Sequence, residues 1–319
     1  MISFIFIFII SCTLLFFSGQ LLIGSLIKIA RFLGWKEFVV AFIMVALATS
    51  VPNLFVGITA ALHRVPQLSF GEVVGGNLFE MTVLVALTTL VAKGLPAQSK
   101  IVQSSAIFTM ACALLPLILI LDGSLGRGDG LVLLSVFLFY LFWLFSKKER
   151  FCKTYEEDKK ESPIKGFKSF IGSFGKILIG LSFMVLAAEG IVRSATFFAE
   201  ALGFTVGLVG ILIVGISNAL PEAYFMTLAA KRGQTWMILG NMMGSVIIIS
   251  TLVLGIVALI YPIEIVDFSP FAVARLFLIT VAVFFFLFVR SDRKISIRES
   301  LILLAAYALF FLIEILIRK

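Results

Sequence analysis

Long apolar runs separated by short polar connections set the pattern of this chain. Runs long enough to cross a bilayer as a helix, about 20 residues each, occupy 3–30, 38–61, 70–92, 102–121, 128–146, 172–196, 205–230, 236–261, 269–289 and 297–317. The pattern predicts an all-α polytopic membrane protein with ten transmembrane helices. The longest polar stretch, 147–171, opens with Lys147-Lys148-Glu149-Arg150 and contains Glu156-Glu157-Asp158-Lys159-Lys160. It divides the chain into helices 1–5 (residues 1–146), a cytoplasmic loop (147–171) and helices 6–10 (172–319). The start, Met1-Ile2-Ser3-Phe4-Ile5-Phe6, has no basic segment and no small-residue cleavage site before the apolar run passes signal-peptide length. It therefore reads as the first membrane helix.

Two apolar runs are interrupted in the same way. Thr49-Ser50-Val51-Pro52-Asn53 lies in the second, and Asn218-Ala219-Leu220-Pro221-Glu222 in the seventh. A proline inside a helix removes one backbone hydrogen bond and displaces the carbonyl of residue i−4. At membrane depth such freed groups must face protein or a wet cavity. When Asn53 is placed over Glu222, 169 positions later, Pro52 meets Pro221. Gly71 then meets Gly240, Gly75 meets Gly244, Thr82 meets Thr251 and Leu33-Gly34 meets Leu202-Gly203. Since each half has an odd number of helices, the second copy enters the membrane from the opposite side. The expectation is two inverted five-helix repeats with paired helix breaks near the bilayer centre.

The composition agrees: 61% of residues are hydrophobic and 14% charged, and the mean hydropathy is +1.15. The net charge of +8 lies in the loops, and about 20 of the 26 Lys and Arg fall on the side of the 147–171 loop. That positive-inside bias, rather than nucleic-acid binding, explains the basic balance and places both termini outside the cytoplasmic membrane. Cys12, Cys112 and Cys152 are far apart and match no disulfide or zinc spacing. His63, the only histidine, sits in a short loop and reads as solvated.

The candidate chemistry is that of a hard cation. Helix 2 carries Thr49, Ser50 and Asn53, and helix 3 carries Asn77 and Glu80. Helix 7 carries Asn218 and Glu222, and helix 8 carries Ser245. Glu80 and Glu222 lie near mid-bilayer, where an ionised side chain is costly and marks function by default. Calcium-like ions want six or more oxygens from carboxylates, amides, carbonyls and water, and this set holds no soft ligand for copper, iron or zinc. Taken singly, Thr49, Ser50 and Ser245 are equally explained as hydroxyls bonding helix carbonyls, and Asn77 as interhelical glue. Glu72, Glu189, Glu37 and Glu314 are read as lying toward helix ends and are left outside the site. No HExxH, Asp-rich pair or nucleophile elbow points to an enzyme.

Thr49-Ser50-Val51-Pro52-Asn53 followed by Gly71-Glu72-Val73-Val74-Gly75-Gly76-Asn77 resembles the α-repeat of the sodium/calcium exchangers, in the cation/calcium antiporter superfamily. So does Pro221-Glu222 followed by Gly240-Asn241-Met242-Met243-Gly244-Ser245. The resemblance implies that helices 2, 3, 7 and 8 enclose the ion sites and that helices 1 and 6 slide past them in alternating access. It also implies exchange of Ca²⁺ against Na⁺ or H⁺, with ions as substrates and no cofactor. Glu222 then matches the calcium ligand of the second repeat, and Thr49, Ser50 and Ser245 match hydroxyl ligands. Asn53 stands where a glutamate is expected, Gly76 replaces a serine, and Asn218-Ala219 replaces Thr-Ser. Ile249 occupies a position that is often acidic, while Glu80 is a carboxylate where an amide is common. These departures keep open an alternative, a non-transporting membrane protein that senses an ion or binds a partner.

Overall fold

The computed structural model describes residues 1–32, 45–146, 163–265 and 269–317. Lys36, Glu37, Cys152, Glu156 and Asp267, which entered the charge and loop expectations above, lie outside the described residues. Helix α1 covers Ile2–Phe32, α2 Ala46–Leu62, α3 Gln67–Ala92, α4 Lys100–Leu119 and α5 Arg127–Ser146. After the polar stretch come α6 (Pro163–Leu202), α7 (Val206–Lys231), α8 (from Thr235 to Ile260), α9 (Ser269–Ser291) and α10 (Ile297–Ile317). Helix α6 begins inside the segment expected to be loop, so residues 163–171 are helical. Pro163 at its first position explains this, because a helix N-terminus tolerates a residue without an N–H.

Among the described residues, eight helices are long and apolar enough to cross a membrane, and α2 is a shorter apolar helix. Their burial sorts them: the apolar windows of α3 and α8 are 78% buried, and those of α1 and α5 only 22% and 28%. Helices α3, α7 and α8 therefore form the interior, and α1 and α5 keep wide apolar faces exposed, as lipid contact requires. Helix α1 packs along α6, α2 against α8, and α3 against α7; α4 meets α9, and α5 meets α8.

Two short antiparallel ladders tie loops together. Strand β1 (Leu95–Pro96) pairs with β4 (Lys294–Ile295), and β2 (Ser124–Leu125) with β3 (Ile263–Glu264). Each joins loops that alternate crossings would place on the same side of the membrane.

The interior helices are not regular. Helices α3, α7 and α8 each contain a π turn, at Glu80–Leu84, Gly210–Val214 and Ile249–Val253. Val85, Gly215 and Leu254 donate to the carbonyls five residues back, Glu80, Gly210 and Ile249. Such bulges free neighbouring carbonyls and recur at functional sites. Thr82 donates to the Leu78 carbonyl, and Thr251 to Ile247 O at 2.5 Å. These hydroxyls compensate the backbone beside two of the bulges.

The proline interruptions differ from expectation. Helix α2 continues through Pro52, whereas α7 is interrupted at Ala219 (φ −79°, ψ 0°), with Pro221 in the first turn of the resumed helix. In α2, Thr49 Oγ1 donates to Ala46 O at 3.1 Å and keeps the turn closed. The equivalent residue of α7, Asn218, donates to Glu72 on α3.

Candidate cation site

Backbone contact between α3 and α7 sets the site. A Cβ on Gly71 would collide with Gly207 O, and one on Gly75 with Ile211 O; on Gly215 it would stand 2.7 Å from Gly76 N. Glycine stripes allow this closeness, as in other membrane helix pairs. Across the bundle, α2 approaches α3 and α8 at Gly57, where a Cβ would lie 2.9 Å from both Ser69 Oγ and Val257 Cγ2. The two prolines converge on α1: a Cβ on Gly19 would lie 3.6 Å from Pro221 Cγ and 3.9 Å from Pro52 Cγ.

All eight side chains singled out from sequence are buried. Thr49, Asn77, Glu80, Glu222 and Ser245 are 0% exposed, Ser50 and Asn218 1%, and Asn53 4%. Polar contacts link several across helices. Ser50 Oγ donates to Ser245 Oγ at 3.4 Å, and Ser245 Oγ donates to Glu80 Oε1 at 3.1 Å, so α2, α8 and α3 share one chain of contacts. Asn77 Nδ2 donates to Ser250 Oγ at 2.8 Å, an interhelical bond that matches the glue reading. Neither carboxylate oxygen of Glu222 has a partner in hydrogen-bonding geometry; its polar neighbours are Glu80, its own backbone N–H, Thr49 and Glu72.

Two buried polar residues of the interior escape the sequence reading. Glu72, expected toward a helix end, is 2% exposed, and its Oε1 accepts from Asn218 Nδ2 at 2.5 Å. The close α3–α7 approach shields it from solvent. Asn241 is 0% exposed, and its Oδ1 accepts from Thr49 Oγ1 at 3.4 Å. The 169-residue offset carried the signal, since it places Glu72 over Asn241 and Thr49 over Asn218. The two contacts are copies of one another. Of the other acids left out, Glu189 is partly exposed and paired with His63 (2.9 Å) and Arg193 (2.5 Å). The expectation that His63 is merely solvated is thereby corrected. Glu314, in the last turn of α10, is 2% exposed.

The donor balance is lopsided. Asn53 Oδ1, Glu72 Oε2, Asn77 Oδ1, Glu80 Oε2, Asn218 Oδ1 and both Glu222 oxygens are buried acceptors without a hydrogen-bond partner. Asn241 Nδ2 and Gln20 Nε2 are buried amide donors without a partner, and the Ser69, Thr89 and Ser194 hydroxyls also lack one. No Lys, Arg or His is buried among the described residues. Buried acceptors without donors are costly, and a hard cation is the species that satisfies oxygens alone. Among the described residues, no three His, Cys, Asp or Glu side chains form a metal cluster by themselves. A cation here must also draw on amide, hydroxyl and backbone oxygens.

Comparison with known proteins gives the chain's family and its fold. The family described as "Sodium/calcium exchanger protein" matches residues 3–146 and 172–316. The sodium/calcium exchanger MaX1 of Methanosarcina acetivorans is 23% identical, over 91% of this chain and 92% of its own length. The uncharacterized membrane protein MJ0091 of Methanocaldococcus jannaschii is 26% identical over 75% of this chain and 76% of its own. A solved structure of the sodium-calcium exchanger NCX_Mj, soaked with Na⁺ and Sr²⁺, superposes with a TM-score of 0.67 at 24% identity over 97% of both chains. That likeness speaks to the fold.

Proposed function

Because this chain belongs to the sodium/calcium exchanger family, we propose that it is a secondary active antiporter of the cytoplasmic membrane, exchanging Ca²⁺ against Na⁺ or H⁺ by alternating access. It is a multi-pass membrane transporter and not an enzyme, and the ions are its substrates. The observation that carries the ion assignment is the surplus of buried, unpartnered oxygen acceptors around Glu80 and Glu222. The ligand set is Glu80, Glu222, Asn53, Asn77, Asn218, Thr49, Ser50 and Ser245, with carbonyls freed near Pro52 and Pro221.

The reading includes ten membrane spans in two inverted repeats. The π turns at Glu80–Leu84 and Ile249–Val253 stand 169 positions apart, matching the sequence offset. The Thr49–Asn241 and Asn218–Glu72 contacts exchange under the same offset, as do the two loop ladders to within a residue. A twofold axis in the membrane plane accounts for all of these.

Mechanistically, calcium and the counter-ion compete for the same carboxylates, so one class of ion is bound at a time. Occupancy neutralises the buried charge and permits α1 and α6 to slide across the bundle. The long α1–α6 contact and the bare Gly19 over both prolines suit such a movement.

The test is calcium uptake into sealed vesicles under an imposed Na⁺ or pH gradient. Wild type takes up calcium. Glu222→Gln and Glu80→Gln insert normally and lose at least roughly 30-fold in calcium affinity, equivalent to about 2 kcal/mol for a buried charge stripped of its partner. Full transport by both variants would refute the assignment. One observation favours the alternative, a non-transporting ion sensor or partner-binding protein. Where Ser245 meets Glu80, the symmetry-related place holds Gly76, and Ile249 Cδ1 lies 4.0 Å from where a Cβ on that glycine would stand. Half of the site is thus closed by hydrocarbon. Calcium binding without gradient-driven flux would select that reading.

A further inference from the structure

Helix α6 moves in the antiport reading, and one side-chain contact ties it to the helices that carry the site. His63 ends α2 and begins the turn to α3. Arg64 N donates to Ala61 O at 3.0 Å and Val65 N to Ala60 O at 2.9 Å, so the turn is fixed to α2. From it, His63 Nε2 donates to Glu189 Oε2 on α6 at 2.9 Å. Glu189 Oε1 accepts from Arg193 Nε, one turn further along α6, at 2.5 Å. The contact therefore joins a rigid turn of the α2–α3 hairpin to the sliding helix.

Its counterpart in the other half is different. The 169-residue offset places His63 over Arg232 and Gln20 over Glu189. Gln20 Nε2 is a buried donor without a partner. The second half thus has an open amide on α1 where the first has a bonded carboxylate on α6. Neither arginine nor glutamine changes charge near neutral pH. Histidine does so between pH 5 and 8, and His63 is the only one in the chain. The positive-inside bias predicts that its turn lies outside the membrane. A link that responds to protons belongs to that face alone.

The surroundings set its strength. The charged residues next to the imidazole are Glu189, Arg193 behind it on α6, and Arg64, its neighbour in the turn. With the Nε2 proton given to Glu189, an incoming proton lands on Nδ1. It turns a hydrogen bond from a neutral ring into one between opposite charges, which is stronger. Arg193 already offsets part of the carboxylate's charge, and the side chains of His63 and Glu189 are 40% and 35% exposed. A contact so open to water shifts an equilibrium by about two- to fivefold. That is too little to govern unfolding, but it biases two positions of one helix that lie close in free energy.

We propose that His63 and Glu189 form an external proton sensor on α6: acid outside tightens their contact, favours the α6 position seen here and slows exchange. The inference rests on the antiport reading. It adds a regulation that ion competition at Glu80 and Glu222 does not supply.

The experiment uses the full-length protein in sealed right-side-out membrane vesicles loaded with Na⁺. Initial ⁴⁵Ca²⁺ uptake is measured while the pH on one side at a time is lowered from about 8 to about 5.5, across the imidazole range. His63→Gln keeps an amide donor for Glu189 and cannot gain a charge; Glu189→Gln removes the charge that attracts the protonated ring. Over this external range wild type slows about two- to fivefold more than either variant, and added salt shrinks the difference. Internal pH acts on all three alike, and so does pH on their calcium affinity in detergent. If His63→Gln fails to insert, Glu189→Gln decides the matter. Equal external profiles in wild type and variant, or a wild type that acid speeds relative to the variant, overturn the sensor and leave the antiport reading intact. A histidine-dependent response to internal pH overturns it as well. Absence of uptake by wild type under any gradient removes the antiport reading and this inference with it.

Discussion

At the residue scale, the site is made of groups that are individually ordinary and jointly unbalanced. A buried serine that bonds its own helix needs no functional account. Ser245, however, donates to Glu80 and receives Ser50, so it spends its hydrogen bonds between helices. Ser245→Ala leaves Glu80 Oε1 without its donor. Because a hydrogen bond to a charged group contributes about 1.5–3 kcal/mol, we expect calcium affinity to fall about tenfold or more in the vesicle assay, with insertion unchanged. Polar contacts nearer solvent behave differently. His63 and Glu189 are about a third or more exposed, and His63→Ala should change thermal stability in detergent by less than about 1 kcal/mol, an effect weakened further by salt. A larger loss would show that this contact holds α6 to the α2–α3 loop.

At the element scale, glycine decides which helices meet. The α3–α7 crossing has no room for a methyl group at Gly75, where a Cβ meets backbone rather than a movable side chain. Gly75→Ala is expected to cost about 1–3 kcal/mol through overpacking, read as a lowered unfolding temperature in detergent, and to impair transport. Gly24→Ala is the control. Nothing lies within 4 Å of a Cβ there, and replacing a mid-helix glycine by alanine should be neutral or stabilising by up to about 1 kcal/mol. Equal effects at the two positions would dismiss close packing as the reason for Gly75. The π turns belong to this scale too. They re-aim Glu80 and the turn after it, and no periodicity in an almost uniformly apolar segment could have announced them.

At the scale of the whole molecule, the proposed arrangement is a bundle with a twofold axis in the membrane plane and both termini outside. Cys152 offers a native reporter, since the positive-inside bias of the sequence predicts a cytoplasmic 147–171 segment. In a Cys12→Ala, Cys112→Ala background, a membrane-impermeant maleimide applied to intact cells should leave Cys152 unlabelled and label it once the membrane is opened. Labelling in intact cells would invert the topology. The proposed symmetry is also imperfect where it matters chemically. One half offers Ser245 to Glu80, the other sets Gly76 beside Ile249, and Glu72 stands opposite a neutral Asn241.

What sequence alone determined follows from composition and spacing. Apolar run length specifies membrane helices, because lipid satisfies no backbone group. The 169-residue offset and the costly mid-bilayer Glu80, Glu222, Asn53 and Asn218 single out candidates, because polar atoms in apolar runs need a reason. Those signals are local or periodic, and so they are legible. Tertiary structure decided the rest. Glu72 looked interfacial by its place in the run, and only the glycine-lined approach of α7 buries it. Helix α2 continues through Pro52 and α7 breaks at Ala219, although Thr49 and Asn218 both reach a neighbouring helix. Burial and partnership are properties of what lies across a helix interface, and a single run of residues does not contain its neighbour.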